Sequence, residues 1–273
     1  MDYKSSNVEK WYAIREVSEM TGVKPVTLRA WQRRYNLIHP HRTEKGHRLY
    51  SQAHIDHIRL IQSWLAKGVA IGKVKELIVG NQPLHAELEA SQVQRESIDT
   101  LLNALAQLQL AKVKAMIRGI LKEYPIAMIE ARLVDPIIQS LSQVKKPQRS
   151  LQMGLFQSAM ITALSAILES ENKAAHKGGC LVVNCEASGC IGAWIWAISI
   201  AGQGYTVTML DGVTDLSGLV THASLDNQWL AIYANHTLPA TQKNALKQLG
   251  IQLGERLMLS PLLNAFDKSQ EPV

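Results

Sequence analysis

PVTLRAWQRRYNLIHPHRTEKGHRLYS, the stretch from Pro25 to Ser51, decides how this 273-residue chain folds at its amino end. Pro25 suits the first turn of a helix, where its missing N–H would be unpaired anyway. Val26, Leu28 and Trp31 are spaced to pack back against a neighbour, while Arg29 and Arg33, four apart, share the opposite side. Upstream, Ile14, Val17 and Met20 form one face of a shorter helix, and Thr21-Gly22-Val23 supplies a turn in which Gly22 is free to take a positive φ. Downstream, His41 to Tyr50 reads as a hairpin bending near Lys45-Gly46 and carrying Arg42, Lys45, His47 and Arg48 within seven positions.

Helix, turn, helix and basic ribbon together predict a binder of double-stranded DNA. Thr27 and Arg29 are the candidates for base-edge contact, with Lys24, Arg33 and Arg34 on or near phosphates. Arg42, Lys45, His47, Arg48 and Tyr50 would hold the ribbon to the backbone, and Trp31 is divided between core and groove. Charge is distributed accordingly. Met1 to Gly80 holds 14 lysines and arginines against 7 acids, a net of +7, whereas the remainder holds 15 against 16, a net of −1.

This region resembles the MerR family of winged helix-turn-helix transcription regulators. Thr27-Leu28-Arg29-Ala30-Trp31, Tyr35-Asn36-Leu37-Ile38-His39-Pro40 and Gly46-His47-Arg48-Leu49-Tyr50 carry the likeness, which is close from Trp11 to about Ile78. The resemblance implies a homodimer on promoter DNA. Such a regulator twists or bends a pseudo-palindrome in an overlong promoter spacer so that RNA polymerase can engage both promoter elements. MerR proteins usually dimerise through a long antiparallel helix; none long enough is read after Ile78, so pairing is expected through a later helical bundle.

The expected fold is mixed α and α/β in three parts. A winged helix-turn-helix domain spans 10–80, closed by a stripe at Ile55, Ile58, Ile61 and Leu65 and a shorter helix through Val74, Leu77 and Ile78. Val79 to Ser97 reads as a linker. A four-helix, cap-like bundle occupies 97–172, with Pro125 separating its second and third helices and Pro136 kinking the third. A flavodoxin-like parallel sheet fills 178–260: strands at 180–184, 205–210 and 229–234, helices at 191–201 and 239–249, and a weak strand at 251–253.

That order is similar to MerR regulators whose effector half binds cobalamin, where D-x-H-x-x-G after the first strand carries the cobalt-ligating His. Aligning Gly192 with the motif's last Gly puts Ala187 at the Asp position and Gly189 at the His position. A hydrogen atom cannot stand in for an imidazole. Other cap features of the light-sensing relatives are also missing: Ser140 to Pro147 has no Trp, and Met153-Gly154-Leu155 precedes Phe156. Ala234-Asn235-His236 stands where a paired-glycine motif belongs. The expectation is a degenerate module with no cobalamin. This resembles the MlrA-like branch of the family, activators of curli and biofilm-matrix genes in enterobacteria. Asn184, Glu186, Ser188, Gly189 and Gly192 form the degenerate loop, and whether it holds another small molecule, docks a protein or is only structural stays open.

Other classes find less support. Cys180, Cys185 and Cys190 fall five apart, neither a zinc pattern nor a disulfide framework, and read as buried or partly buried free thiols. His222 and His236 lie near Asp215 and Asp226, yet no nucleophile elbow, P-loop or metal-ligand helix accompanies them, so no enzyme is expected. Core packing is expected for both Trp194 and Trp196. The chain opens without a basic-apolar-small pattern, and its longest apolar run, Ile191 to Gly202, is shorter than the roughly 20 residues a bilayer needs. A cytoplasmic protein with no membrane partner is expected. Two rival readings remain: a repressor controlled by cobalamin or another ligand, and a corrinoid-carrier or partner-docking module merely tethered by its first domain.

Overall fold

The structure, a computed structural model, describes residues 10–79, 83–222, 225 and 228–268. They divide into two compact units, Met1–Gln143 and Val144–Val273.

The first unit opens with β1 (Tyr12–Ala13), α1 (Ile14–Thr21) and α2 (Pro25–Tyr35). Gly22 ends α1 at φ 69° with its N–H bonded to the Ser18 carbonyl, which is the left-handed turn the sequence called for. β2 (His41–Arg42) and β3 (Arg48–Tyr50) form the hairpin, and β1 joins them in an antiparallel sheet of order β1-β3-β2. The Gly46 N–H bonds the Thr43 carbonyl at 2.8 Å and closes the expected bend. α3 (Gln52–Ala66) and α4 (Ile71–Val79) complete the fold. Val17, Leu28, Trp31, Ile55, Ile58, Ile61 and Leu65 meet in one core with no exposure at all.

That core does not end at residue 80, because Tyr124 and Met128 pack against it. They arrive by way of α5 (Pro83–Ala106) and α6 (Leu110–Glu123). α5 corrects the expected linker and the expected lack of a long helix after Ile78. Its polar run Leu84 to Ser97 is built of good helix formers, and the one Pro sits in the first turn. The expected third helix is broken upstream of Pro136 into a 3₁₀ turn (Ile126–Met128), a π turn (Glu130–Val134) and α7 (Asp135–Ser142), with Pro136 in the first turn of α7. From the π turn the buried Arg132 donates to the carbonyls of Leu65 and Val69 and lies over the Tyr124 ring.

The second unit begins with α8 (Lys146–Asn172), which lies against α9 (Ile191–Gly202) and β5 (Thr206–Leu210). The unit boundary thus falls inside 97–172, the stretch expected as one bundle. α8 is long and apolar enough to cross a membrane by length and composition, unlike the shorter run considered from sequence, and 39% of that apolar window is buried within the protein. β4 (Gly179–Asn184), β5, β6 (Trp229–Tyr233) and β7 (Leu257–Leu259) form a parallel sheet of order β5-β4-β6-β7. α10 (Ser217–Val220) and α11 (Ala240–Leu253) lie in the connections after β5 and β6, and α12 (Pro261–Lys268) follows β7. Ile251–Leu253, expected as a strand, continues α11, and the last strand comes after Gly254 instead.

Asn172 clasps the edge strand: its side-chain amide donates to the Val207 carbonyl and accepts from the Val207 N–H, both at 2.8 Å. Asn172→Ala leaves both backbone groups of Val207 without that partner and is expected to cost about 1–2 kcal/mol. Denaturant unfolding of the variant beside wild type checks this, and an unchanged midpoint would remove the clasp from the account.

Candidate nucleic-acid interface and effector-side loop

The recognition surface follows from which side of α2 is occupied. Thr27, Leu28 and Trp31 are buried, so the helix presents Val26, Arg29 and Arg33 to solvent. The loop after α2 is fixed from α3: His57 Nε2 bonds the Leu37 carbonyl at 2.9 Å and His54 Nε2 the His39 carbonyl at 3.0 Å. His54 Nδ1 accepts the Ser51 N–H, so one ring caps α3 and anchors the approach to the wing.

The wing is joined to the recognition helix directly. Arg48 Nε donates to Gln32 Oε1 at 2.8 Å, spanning β3 and α2. Burial raises the Tyr50 phenol above its usual range, while the charges of Arg48 and Arg29 both act on it in the opposite direction. Both charges therefore act on one side chain. Arg42, Lys45 and His47 are exposed along the hairpin, and Trp11 lies against His41 with ring centroids 5.4 Å apart. Exposed cations of helix and wing thus share a neighbourhood in which a phosphate backbone can meet them.

Five expected contacts need correction. Thr27 (1% exposed) and Tyr50 (1%) are core residues, so neither side chain is offered to a base edge or a phosphate. Trp31 is not shared with the groove: it has no exposed surface, and its Nε1–H bonds the Glu123 carbonyl at 2.8 Å. Arg34 is turned to α6, where its Nη1 meets Glu123 Oε1 at 2.8 Å. Lys24 is half-buried at the start of α2.

In the second unit, the strand order reverses between β4 and β6, and the loops leaving their carboxyl ends open the crevice where such sheets take ligands. Here the chain's own groups occupy it. The Asp211 carboxylate accepts from Asn184 Nδ2 at 2.6 Å, the Gly189 N–H at 2.8 Å and Trp194 Nε1 at 3.3 Å. Glu186 accepts the Asn235 N–H and pairs with His236 Nδ1 at 2.9 Å, tying the β4 loop to the β6 loop. Gln157 of α8 donates to the carbonyls of Ser188 and Gly189.

These residues do not fit cobalamin. Gly189 has φ 79°, strained for any side chain, and a Cβ placed there would stand 2.5 Å from Gln157 Nε2. The position that carries the cobalt-ligating His in the resembling motif thus lacks the imidazole, and a side chain there would be strained and would displace the Gln157 amide. The thiols are poor ligands as they stand, since burial pushes Cys180 up to about 12 and Cys185 to about 11. Trp194 and Trp196, expected in the core, are each half-buried, one bonded to Asp211 and the other against the Tyr233 ring. Asp215 accepts the Ser217 N–H at 2.9 Å and caps α10; Asp226 lies outside the described residues.

Sequence reasoning missed Gln32, Glu123 and Asp211. Asp211 carried a readable signal, an acid directly after a strand at the ligand edge. Glu123 carried none, being 92 residues from the indole it receives.

Comparison with known proteins agrees with this geometry. The family profile described as "MerR HTH family regulatory protein" matches residues 12–80. The HTH-type transcriptional regulator MlrA of Escherichia coli (strain K12) is 31% identical over 199 residues, covering 73% of this chain and 79% of that protein. MlrA of Salmonella typhimurium (strain LT2) gives the same identity and coverage. The HTH-type transcriptional repressor CarH of Myxococcus xanthus is 27% identical over 137 residues, 49% of this chain and 46% of CarH. The helix-wing geometry and a likeness to MlrA that runs well past the DNA-reading part lead to one conclusion: this chain belongs to the MerR family of helix-turn-helix transcription regulators, as an MlrA-like member.

Proposed function

We propose that this regulator binds promoter DNA as a homodimer in the cytoplasm and activates transcription by distorting the duplex for RNA polymerase, with biofilm-matrix genes among its targets. The Gln32–Arg48 bond carries the reading, because it seats the wing beside the recognition helix and gives Arg29, Arg33, Arg42, Lys45 and His47 a common partner. Arg29 is the base-edge candidate, and the others are suited to phosphates. Two copies would read a pseudo-palindrome. α5, 24 residues and hence about 36 Å long, supplies the kind of helix through which MerR proteins pair. The biofilm target and the activating direction rest on the resemblance to the MlrA-like branch.

The likeness to CarH, a repressor by name, favours a second reading in which the bound protein blocks transcription. A promoter–reporter assay with and without the protein separates the two by sign. In either case we propose that no cobalamin is held, on the strength of Gly189 and the Asp211-centred loop.

Arg29→Ala is expected to cost about 1–3 kcal/mol and to relax one base position, whereas Lys45→Ala weakens all sequences alike and lowers the salt slope by about 0.9. Titrations on matched and mismatched duplexes over a range of salt check both, and equal losses on every duplex would take Arg29 out of base reading. Protein mixed with cobalamin and then passed through a desalting column is expected to emerge colourless; a red protein fraction would reverse the cofactor reading.

A further inference from the structure

Glu123 holds the recognition helix from behind with two different groups. Its backbone carbonyl takes the Trp31 indole N–H at 2.8 Å, a contact any side chain at 123 would leave in place. Its carboxylate takes the Arg34 guanidinium at 2.8 Å and lies near enough to Tyr35 to act on its phenol. Burial and this neighbouring carboxylate together push the Tyr35 phenol up. Arg34 is 51% exposed and adjoins Arg33 at the end of α2, so its charge is withheld from DNA by its partner rather than by burial. A carboxylate and a phosphate compete for a guanidinium through the same paired-acceptor geometry. A cavity of about 280 Å³ borders Glu123 on its other side, walled by Tyr35, Ile71, Ile98, Ile120, Tyr124 and Arg132.

We propose that Glu123 is a positioning residue that sets DNA affinity by occupying Arg34, keeping one cation of the recognition helix away from the phosphate backbone. Any movement of the α6 end that breaks the pair would add a phosphate contact without altering the base-reading side chains. Affinity would rise for all sequences alike, and the base preference set by Arg29 would stay. This rests on the reading of α2 and the hairpin as the DNA face.

The test is Glu123→Gln in the full chain, which removes the charge, keeps the backbone carbonyl and retains nearly the same shape. Binding to a specific and an unrelated duplex is titrated from 0.05 to 0.5 M salt. One additional phosphate contact predicts a log–log salt slope steeper by about 0.9 and affinity raised roughly 3- to 10-fold near 0.1 M salt on both duplexes, the gap closing as salt rises. The double variant Glu123→Gln/Arg34→Gln is expected to return to the wild-type slope. An unchanged slope, weaker binding on both duplexes, or a double variant that keeps the steeper slope overturns the proposal. Should Glu123→Gln fail to fold, Arg34→Gln alone decides: the wild-type slope is expected, and a loss of about 0.9 shows that Arg34 already contacts phosphate. If wild type itself shows no salt-dependent duplex binding, the DNA-face reading fails first and independently.

Discussion

A buried indole must find an acceptor for its N–H, and in this protein the acceptor for Trp31 is a backbone carbonyl at the end of α6. Much of the first unit depends on that constraint. It fixes which side of α2 is inward, so the opposite stripe with Arg29 and Arg33 becomes the outward one. It draws Tyr124 and Met128 into the helix-turn-helix core and brings Arg132 under the end of α3, where its guanidinium meets two main-chain oxygens. A DNA-reading fold of about seventy residues has a small core by itself, and here the core is enlarged by chain that follows it much later.

The second unit shows a different economy. The crevice between β4 and β6 is the place where this sheet topology ordinarily takes a ligand, and an acid of the chain itself stands there. Asp211 satisfies a buried Asn184 amide, the Gly189 N–H and an indole N–H, while Glu186 spans the crevice to Asn235 and His236. A buried side-chain amide needs partners whether or not a ligand is bound, so this network stabilises a closed loop in the protein alone.

Much of the architecture was legible because period and spacing report it. The four-residue interval from Arg29 to Arg33, the stripe from Ile55 to Leu65 and the apolar strands before Asn184 and Tyr233 each have a local cause. Misreadings came where composition and burial part company. α5 is polar in sequence yet helical, because helix propensity does not require apolar residues. Ile251 is apolar yet 88% exposed, on the outer side of a helix that runs to Leu253 rather than in a strand. Tyr50 is expected among the residues that hold the wing to the DNA backbone, but the chain turns into α3 directly after it and carries the ring inward against His54. Contacts such as Trp31 to Glu123 and Gln157 to Gly189 join distant stretches and leave no periodic trace.

Central to the account is that helix and wing present their cations to one duplex. Site-specific photocrosslinking tests this most directly, with a photoreactive residue placed in turn at Arg33, Lys45 and Ile251 and challenged with a duplex selected for tight binding. Crosslinks are expected from positions 33 and 45 to neighbouring nucleotides of one half-site and none from 251. Crosslinks from 251 alone, or from 33 and 45 to separate duplexes and never to the same one, would contradict it.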